Sequence, residues 1–202
     1  MLEYLQDLDR TLFIYLNGHQ SRFWDAFMIQ ISDRHFWFPL YAFLAFYLIY
    51  TFRHRSILKL VAIGLTIAAA DGISSGIIKP LVGRLRPCHD AALEKYIVII
   101  DRCGGQLGFV SSHAANTFGL AMIAAMLLDS RYLYFKIFLF IWACFISYSR
   151  IYLGVHYPGD VLGGALLGIL LGLLFGWLYR LVKRRYFPEQ VAETELENSP
   201  KK

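Results

Sequence analysis

Three short stretches carry residues that could handle a phosphate group. In the first, Ser149-Arg150 is followed after five residues by His156 and after three more by Asp160. The second runs from Lys79 over six residues to Arg86-Pro87, and the third is Ser111-Ser112-His113. A phosphate spreads negative charge over three terminal oxygens, and its transfer is catalysed mainly by positioning and charge stabilisation. Lys79 offers a point charge, while Arg86 and Arg150 offer planar forks that each match two oxygens. Ser111 and Ser112 open a predicted helix whose backbone N–H groups add an anion-binding end, and His113 falls in its first turn. His156 and Asp160 stand four apart near the start of the last apolar segment. A carboxylate bonded to one imidazole nitrogen fixes the tautomer and leaves the other nitrogen free to attack. Taken singly these residues say little: Lys79 and Arg86 could be interface anchors, and His156 a structural histidine. The weight comes from three clusters of complementary chemistry. His19, His35, His54 and His89 have no such company and read as structural or solvated.

The elements that must position these residues are apolar. The 202 residues are 57% hydrophobic, 16% aromatic and only 17% charged, with a mean hydropathy of +0.46. This excludes an ordinary soluble domain. It predicts an all-α, polytopic membrane helical bundle with an amphipathic N-terminal pair, in one domain over residues 1–187. Residues 2–16 place Leu2, Leu5, Leu8, Leu12 and Phe13 at helical spacing, and a second short helix covers 21–31. Neither reaches the ~20 residues of a span. Residues 1–34 are an interfacial hairpin or one broken crossing. The start lacks the basic region of a cleavable signal, since Glu3, Asp7 and Asp9 fall within it.

Spans are expected at Phe36–Phe52, about Ile57–Ile78, Ser111–Leu128, Tyr132–Ser147 and Asp160–Leu181. The second holds Asp71, read as a structural hydrogen bond or ion pair, with a direct catalytic role the alternative. Pro80 and Pro87 are expected to stop helix propagation. The polar stretch that follows contains a short β-like run at Tyr96–Ile100. Gly164, Gly168, Gly172 and Gly176 form one glycine face on the last span, suited to close helix packing in lipid. Residues 188–202 read as a disordered cytoplasmic tail.

The net charge of +5 is placed at span ends, which suits phospholipid headgroups and argues against nucleic acid. Basic turns at Arg53, Arg55 and Lys59, at Arg131 and Lys136, and at Arg180, Lys183, Arg184 and Arg185 fall on one side. The positive-inside rule makes that side cytoplasmic. The three chemical clusters then face outward, and Lys79, Arg84 and Arg86 oppose the rule locally, as residues held to bind an anion would. Cys88 and Cys103 share the outward loop and are expected to form a disulfide worth ~3 kcal/mol, while Cys144 lies in a span and stays reduced.

These motifs resemble those of the type 2 phosphatidic acid phosphatase superfamily, membrane lipid phosphatases that share an active site with vanadium haloperoxidases. The family pattern is K-x6-R-P, then P-S-G-H, then S-R-x5-H-x3-D. The first and third parts are intact here. The middle part reads Val110-Ser111-Ser112-His113, keeping the serine and histidine but replacing proline and glycine. The resemblance implies that His156 is a nucleophile forming a phosphohistidine, that Asp160 orients it, and that His113 protonates the leaving oxygen. It implies that Lys79, Arg86, Arg150, Ser111 and the Ser112 N–H bind phosphate, with no metal or other cofactor, in a bundle of about six membrane helices that counts the N-terminal pair. The expected partner is a membrane lipid phosphate, with undecaprenyl diphosphate placed first. Phosphatidylglycerophosphate, phosphatidic acid and lipid A phosphates are its rivals, as is transfer to a second lipid. A non-enzymatic binder or transporter of anionic lipid is the remaining class, and the His113, His156 and Asp160 trio argues against it.

Overall fold

The computed structural model describes residues 2–53, 56–100 and 102–187. His54, Arg55 and the tail at 188–202 lie outside the described residues. The chain forms α1 (Leu2–Asn17), α2 (Arg22–Ser32), α3 (Phe38–Phe52), α4 (Ser56–Asp71), α5 (Ser112–Leu127), α6 (Leu133–Tyr152) and α7 (Pro158–Tyr186). Among the described residues, four helical runs are long and apolar enough to cross a membrane: Arg34–Phe52, Ser56–Val82, Ser130–Tyr152 and Pro158–Tyr186. Their outward residues are apolar and exposed, among them Phe43, Phe46, Ile57, Phe145, Leu162 and Leu166. Such surfaces suit a bilayer, since helices satisfy their own backbone hydrogen bonds.

The 16-residue α5 lies inside this set. Its small residues Ala114, Ala115, Gly119 and Ala121 are buried, and the glycine face of α7 packs against it. A methyl carbon at Gly164 or Gly168 would run into the backbone carbonyls of Ser111 and Ala115, and one at Gly172 would lie 2.7 Å from Met122 Cβ. Removing Cβ atoms at a four-residue spacing therefore lets the two backbones approach. That approach fixes where the first turns of α5 and α7 sit, and both carry residues of interest.

Three local features depart from the sequence expectation. Pro80 does not end its helix. The run from α4 continues through a π-helical stretch, Gly72–Ile78, and a last α turn, Lys79–Val82. The Lys79 N–H reaches back to Ser74 O, five residues earlier, instead of four. This wider turn accommodates Pro80, which clashes with the fourth preceding carbonyl in a regular helix. Gly83, at φ +66°, closes it. Secondly, Tyr96–Ile100 forms no strand. The amide of Asn17 takes the place of a pairing strand, donating to Val98 O at 3.1 Å and accepting from Val98 N at 2.9 Å. Among the described residues the only bridge is Leu85 with Leu107. Thirdly, α6 runs on to Tyr152 and so carries Ser149 and Arg150 within its last turns.

The N-terminal pair behaves unlike an amphipathic helix on a soluble core. In α1 the leucines at 5, 8 and 12 are exposed, while Phe13 and Asn17 are buried and Asp9 is half-buried. The side turned to the bundle is thus partly polar. In α2, Met28, Ile31 and Ser32 are buried and Phe23, Trp24 and Phe27 are exposed. Asp71 is exposed and accepts from Asn116 Nδ2 at 3.4 Å, a structural hydrogen bond.

Candidate active site

The site forms where the end of α4, the start of α5, the end of α6 and the start of α7 meet. Gly154, at φ +82°, turns the chain after α6 so that the N–H groups of Val155 and His156 both reach Arg150 O, at 3.1 and 3.2 Å. A side chain at 154 would be strained by this φ, and its Cβ would lie 2.9 Å from Val98 O. The turn folds His156 back beside Arg150, and His156 is 1% exposed. Pro158 then opens α7 at a position where its missing N–H costs nothing. Asp160, in the first turn of that helix, is fully buried. Its Oδ2 lies 3.3 Å from His156 Nδ1 and accepts from Tyr157 N–H at 3.1 Å. An ionised carboxylate can only accept, so Nδ1 carries the imidazole proton and Nε2 keeps its lone pair.

Ser111 caps α5, its Oγ accepting from Ala114 N–H at 3.4 Å. Its own N–H donates to Asp160 O at 2.8 Å and ties the two helix starts together. Ser112 follows, and its hydroxyl is a hub. Lys79 Nζ donates to it at 2.9 Å, and Ser74 and Ser75 meet it at 3.0 and 2.8 Å. The π turn brings both serines to this one oxygen. The serine that replaces glycine in the middle motif therefore holds the lysine in place.

Arg86 is fixed by backbone acceptors, with Nε to Leu107 O at 3.1 Å and Nη1 to Cys103 O at 2.6 Å. Cys103 is bonded to Cys88, with Cα atoms 6.0 Å apart, and Cys144 is free on the outer face of α6. The disulfide therefore closes the loop that supplies one of the arginine's acceptors. Arg150 is 9% exposed and donates to Ser32 Oγ at the end of α2. Arg150, His156, Lys79 and Arg86 all bear electrostatically on His113. The structure thus brings together all eight predicted residues: Lys79, Arg86, Ser111, Ser112, His113, Arg150, His156 and Asp160.

These charges set the state of the histidine. Burial pushes His156 well below the ordinary imidazole range, and the cations of Arg86, Arg150 and Lys79 push it further. It is a neutral imidazole at neutral pH, the form that can attack. Burial also lowers Arg86 from its usual value, with Asp160 opposing.

The sequence pattern missed three contributors, Asp9, Ser32 and Ser74, and marked Arg84 without assigning it to the site. Arg84 sends Nη1 to Asp160 Oδ1 at 3.0 Å and Nη2 to Asp9 Oδ2 at 2.6 Å. Its one sequence signal was a positive charge on the side where the positive-inside rule disfavours it. Ser32 and Asp9 come from the N-terminal pair. They stand 118 and 75 residues from the arginines they touch, Arg150 and Arg84, and no local pattern marks them. Ser74 was read only as a small residue. His19, His35 and His89 are exposed and outside the site, and His35 pairs with Asp33 at 2.9 Å.

A bundle of membrane-crossing helices that gathers a lysine, two arginines, a capped helix start and a carboxylate-held neutral imidazole is a membrane phosphatase scaffold. Residues 59–186 match the family model described as PAP2 superfamily, and the chain belongs to that superfamily. It is 42% identical over 170 residues to a lipid A 4'-phosphatase of Bacteroides thetaiotaomicron, covering 83% of this chain and 75% of the relative. A lipid A 4'-phosphatase of Porphyromonas gingivalis is 31% identical over 165 residues, covering 81% and 69%. Of solved structures, Aquifex aeolicus LpxE superposes with a TM-score of 0.62 at 27% identity, over 83% of this chain and 94% of that one. A phosphatidylglycerolphosphate phosphatase from Bacillus subtilis gives 0.68 at 22% identity, over 90% and 89%, which shows a shared fold. The protein is a multi-pass membrane lipid phosphatase, a phosphoric monoester hydrolase.

Proposed function

We propose that this protein removes the 4'-phosphate of lipid A on the outer side of the membrane. The observation that carries the substrate is the 42% identity, over most of both chains, to a lipid A 4'-phosphatase. This reading moves lipid A ahead of undecaprenyl diphosphate, which composition and topology alone had put first. Sequence cannot weigh a sugar-borne phosphate against an isoprenoid one when both present the same terminal oxygens to the same cations.

The proposed reaction runs in two displacements. Lys79, Arg86, Arg150, Ser111 and the Ser112 N–H hold the phosphate. His156 Nε2 attacks phosphorus, a P–N bond forms, and the P–O bond to the sugar breaks as His113 gives its proton to the leaving oxygen. Asp160 stabilises the positive ring. His113 then takes a proton from water as that oxygen attacks phosphorus, the P–N bond breaks, and inorganic phosphate leaves. Cation stabilisation in a water-poor site is the largest contribution such sites make, and general-acid help adds roughly 10²–10⁴-fold. No step needs a metal ion. The outward orientation is supported by the basic residues Arg53, Lys59, Arg131, Lys136 and Arg180, which lie at helix ends opposite the site's helix ends.

The test is phosphate release by detergent-purified protein from lipid A, undecaprenyl diphosphate, phosphatidylglycerophosphate and phosphatidic acid, with mass spectrometry of the lipid A product. Highest kcat/KM on lipid A, with loss from the 4' position, is expected. Preference for another lipid, or loss from the other sugar, would overturn the substrate assignment.

A further inference from the structure

Asp160 is fully buried, with Oδ2 shared by the Tyr157 N–H and the imidazole and Oδ1 given to an arginine. Oδ2 serves His156 Nδ1 and Oδ1 takes Arg84 Nη1 at 3.0 Å. Arg84 is not free to leave, because its other fork end is held by Asp9 Oδ2 at 2.6 Å and its guanidinium lies 4.0 Å over the Tyr157 ring. Asp9 is itself fixed. Its Oδ1 accepts from Gly159 N–H, in the first turn of α7, at 2.7 Å. A methyl carbon at 159 would lie 2.8 Å from Asp9 Oδ2 and would push that carboxylate aside. The Asp9 and Arg84 side chains are 13% and 24% exposed, so water screens them only partly.

The charges along this chain run negative, positive, negative, and end at the imidazole. With Asp9 present the unit keeps one net negative charge beside His156. Without it, Arg84 would cancel Asp160, and a neutral pair would face a ring that must become positive when it bonds phosphorus. We propose that Asp9, acting through Arg84, is a positioning residue that keeps the charge and the direction of Asp160 on His156, which makes the N-terminal helix part of the catalytic apparatus. Asp9 lies outside residues 59–186, the region that matches the superfamily. The inference rests on the reading of His156 as nucleophile.

A purely structural clamp would look similar, and α1 offers a control. Arg10 pairs with Asp90 at 3.1 Å, another tie from α1 to the bundle, and Asp90 takes no hydrogen bond from Arg84. The experiment measures kcat, KM and thermal unfolding on full-length protein in detergent with lipid A. Asp9→Asn is expected to lower kcat roughly tenfold, the size of one modest electrostatic contribution to a barrier, with KM within about twofold. Arg10→Gln is expected to keep kcat. On an Asp160→Asn background, Asp9→Asn is expected to cost nothing more, because a residue that acts through Asp160 has nothing left to act on. Should Asp9→Asn not fold, Gly159→Ala displaces the same carboxylate and is expected to give the same loss in kcat. Wild-type kcat in Asp9→Asn, or in its Gly159→Ala substitute, overturns the proposal, as does an equal loss on both backgrounds. Turnover retained by His156→Ala would instead overturn the nucleophile itself, so the two failures are distinguishable.

Discussion

Replacing Gly168 by alanine tests whether the contact between α5 and α7 sets the geometry of the site. A methyl carbon there would lie 2.7 Å from Gly119 N and closer still to Ala115 O. Ordinary contact begins near 3.4 Å, so the helices must part by at least roughly 3.4 − 2.7 = 0.7 Å. Both obstacles are backbone and cannot rotate aside. Overpacking of this kind typically costs about 1–3 kcal/mol. The parting also separates Ser111 to His113 on one helix from Asp160 on the other, and misplacement of about 1 Å can cost roughly 10²-fold in rate. Two other glycines calibrate the effect. Gly64 has nothing within 4 Å, so Gly64→Ala should be neutral or slightly stabilising. At Gly176 a methyl would meet Met126 Cβ at 2.7 Å. That position is about 24 Å along the helix from Asp160 at about 1.5 Å per residue, so Gly176→Ala should lose stability and keep most of its kcat. Thermal unfolding and kcat/KM on lipid A, measured for all three in one detergent, separate the outcomes. A Gly168→Ala variant indistinguishable from Gly64→Ala in both would show that this helix contact does not set the site.

Three further outcomes are expected. Cys88→Ser or Cys103→Ser opens a 15-residue loop, worth ~3 kcal/mol in the chain-entropy picture, and loosens the Cys103 carbonyl that holds Arg86. Substrate KM should rise more than kcat falls, and thiol reduction of the wild type should reproduce it; an unchanged KM would count against this. Because the attacking His156 must be neutral and its pKa is depressed, the acid limb of kcat/KM should lie below about pH 6.5, the ordinary imidazole value, while a basic limb reports loss of the proton from the acid His113, after correction for the substrate's own ionisation. An acid limb centred above that value would contradict the sign. His113→Ala should cost most on lipid A, whose leaving oxygen is a basic alkoxide, and little on an aryl phosphate, whose leaving group scarcely needs a proton. Equal losses on the two substrates would remove His113 from the acid role.

Much of the site was legible because its chemistry is written in short motifs at helix ends, where residue type and spacing survive without knowledge of packing. Lys79, Arg86, Arg150, His156 and Asp160 are of this kind. The glycine face of α7 was legible too, since a four-residue period of glycines suits close helix packing. What was not legible depended on contacts between distant segments. Asp9 in α1 counted only as one of three acids that argue against a cleavable signal, and nothing near it in sequence announces Arg84 or Gly159. Ser112 was assigned only its N–H, and its hydroxyl had no role until Lys79, Ser74 and Ser75 were found around it. Pro80 misled because the rule that proline stops a helix assumes a regular α turn, and the π stretch before it supplies the room. The run at Tyr96–Ile100 had strand-like residues but no neighbouring strand, and Asn17 supplied hydrogen bonds to Val98 instead.

Whether His156 carries a covalent intermediate is decided by the stereochemical course at phosphorus. An isotopically chiral phosphorothioate monoester is hydrolysed in labelled water and the configuration of the released thiophosphate determined. Each in-line displacement inverts phosphorus, so attack by His156 followed by attack of water predicts net retention. Net inversion would mean that water attacks the substrate directly, with no phosphohistidine on the path.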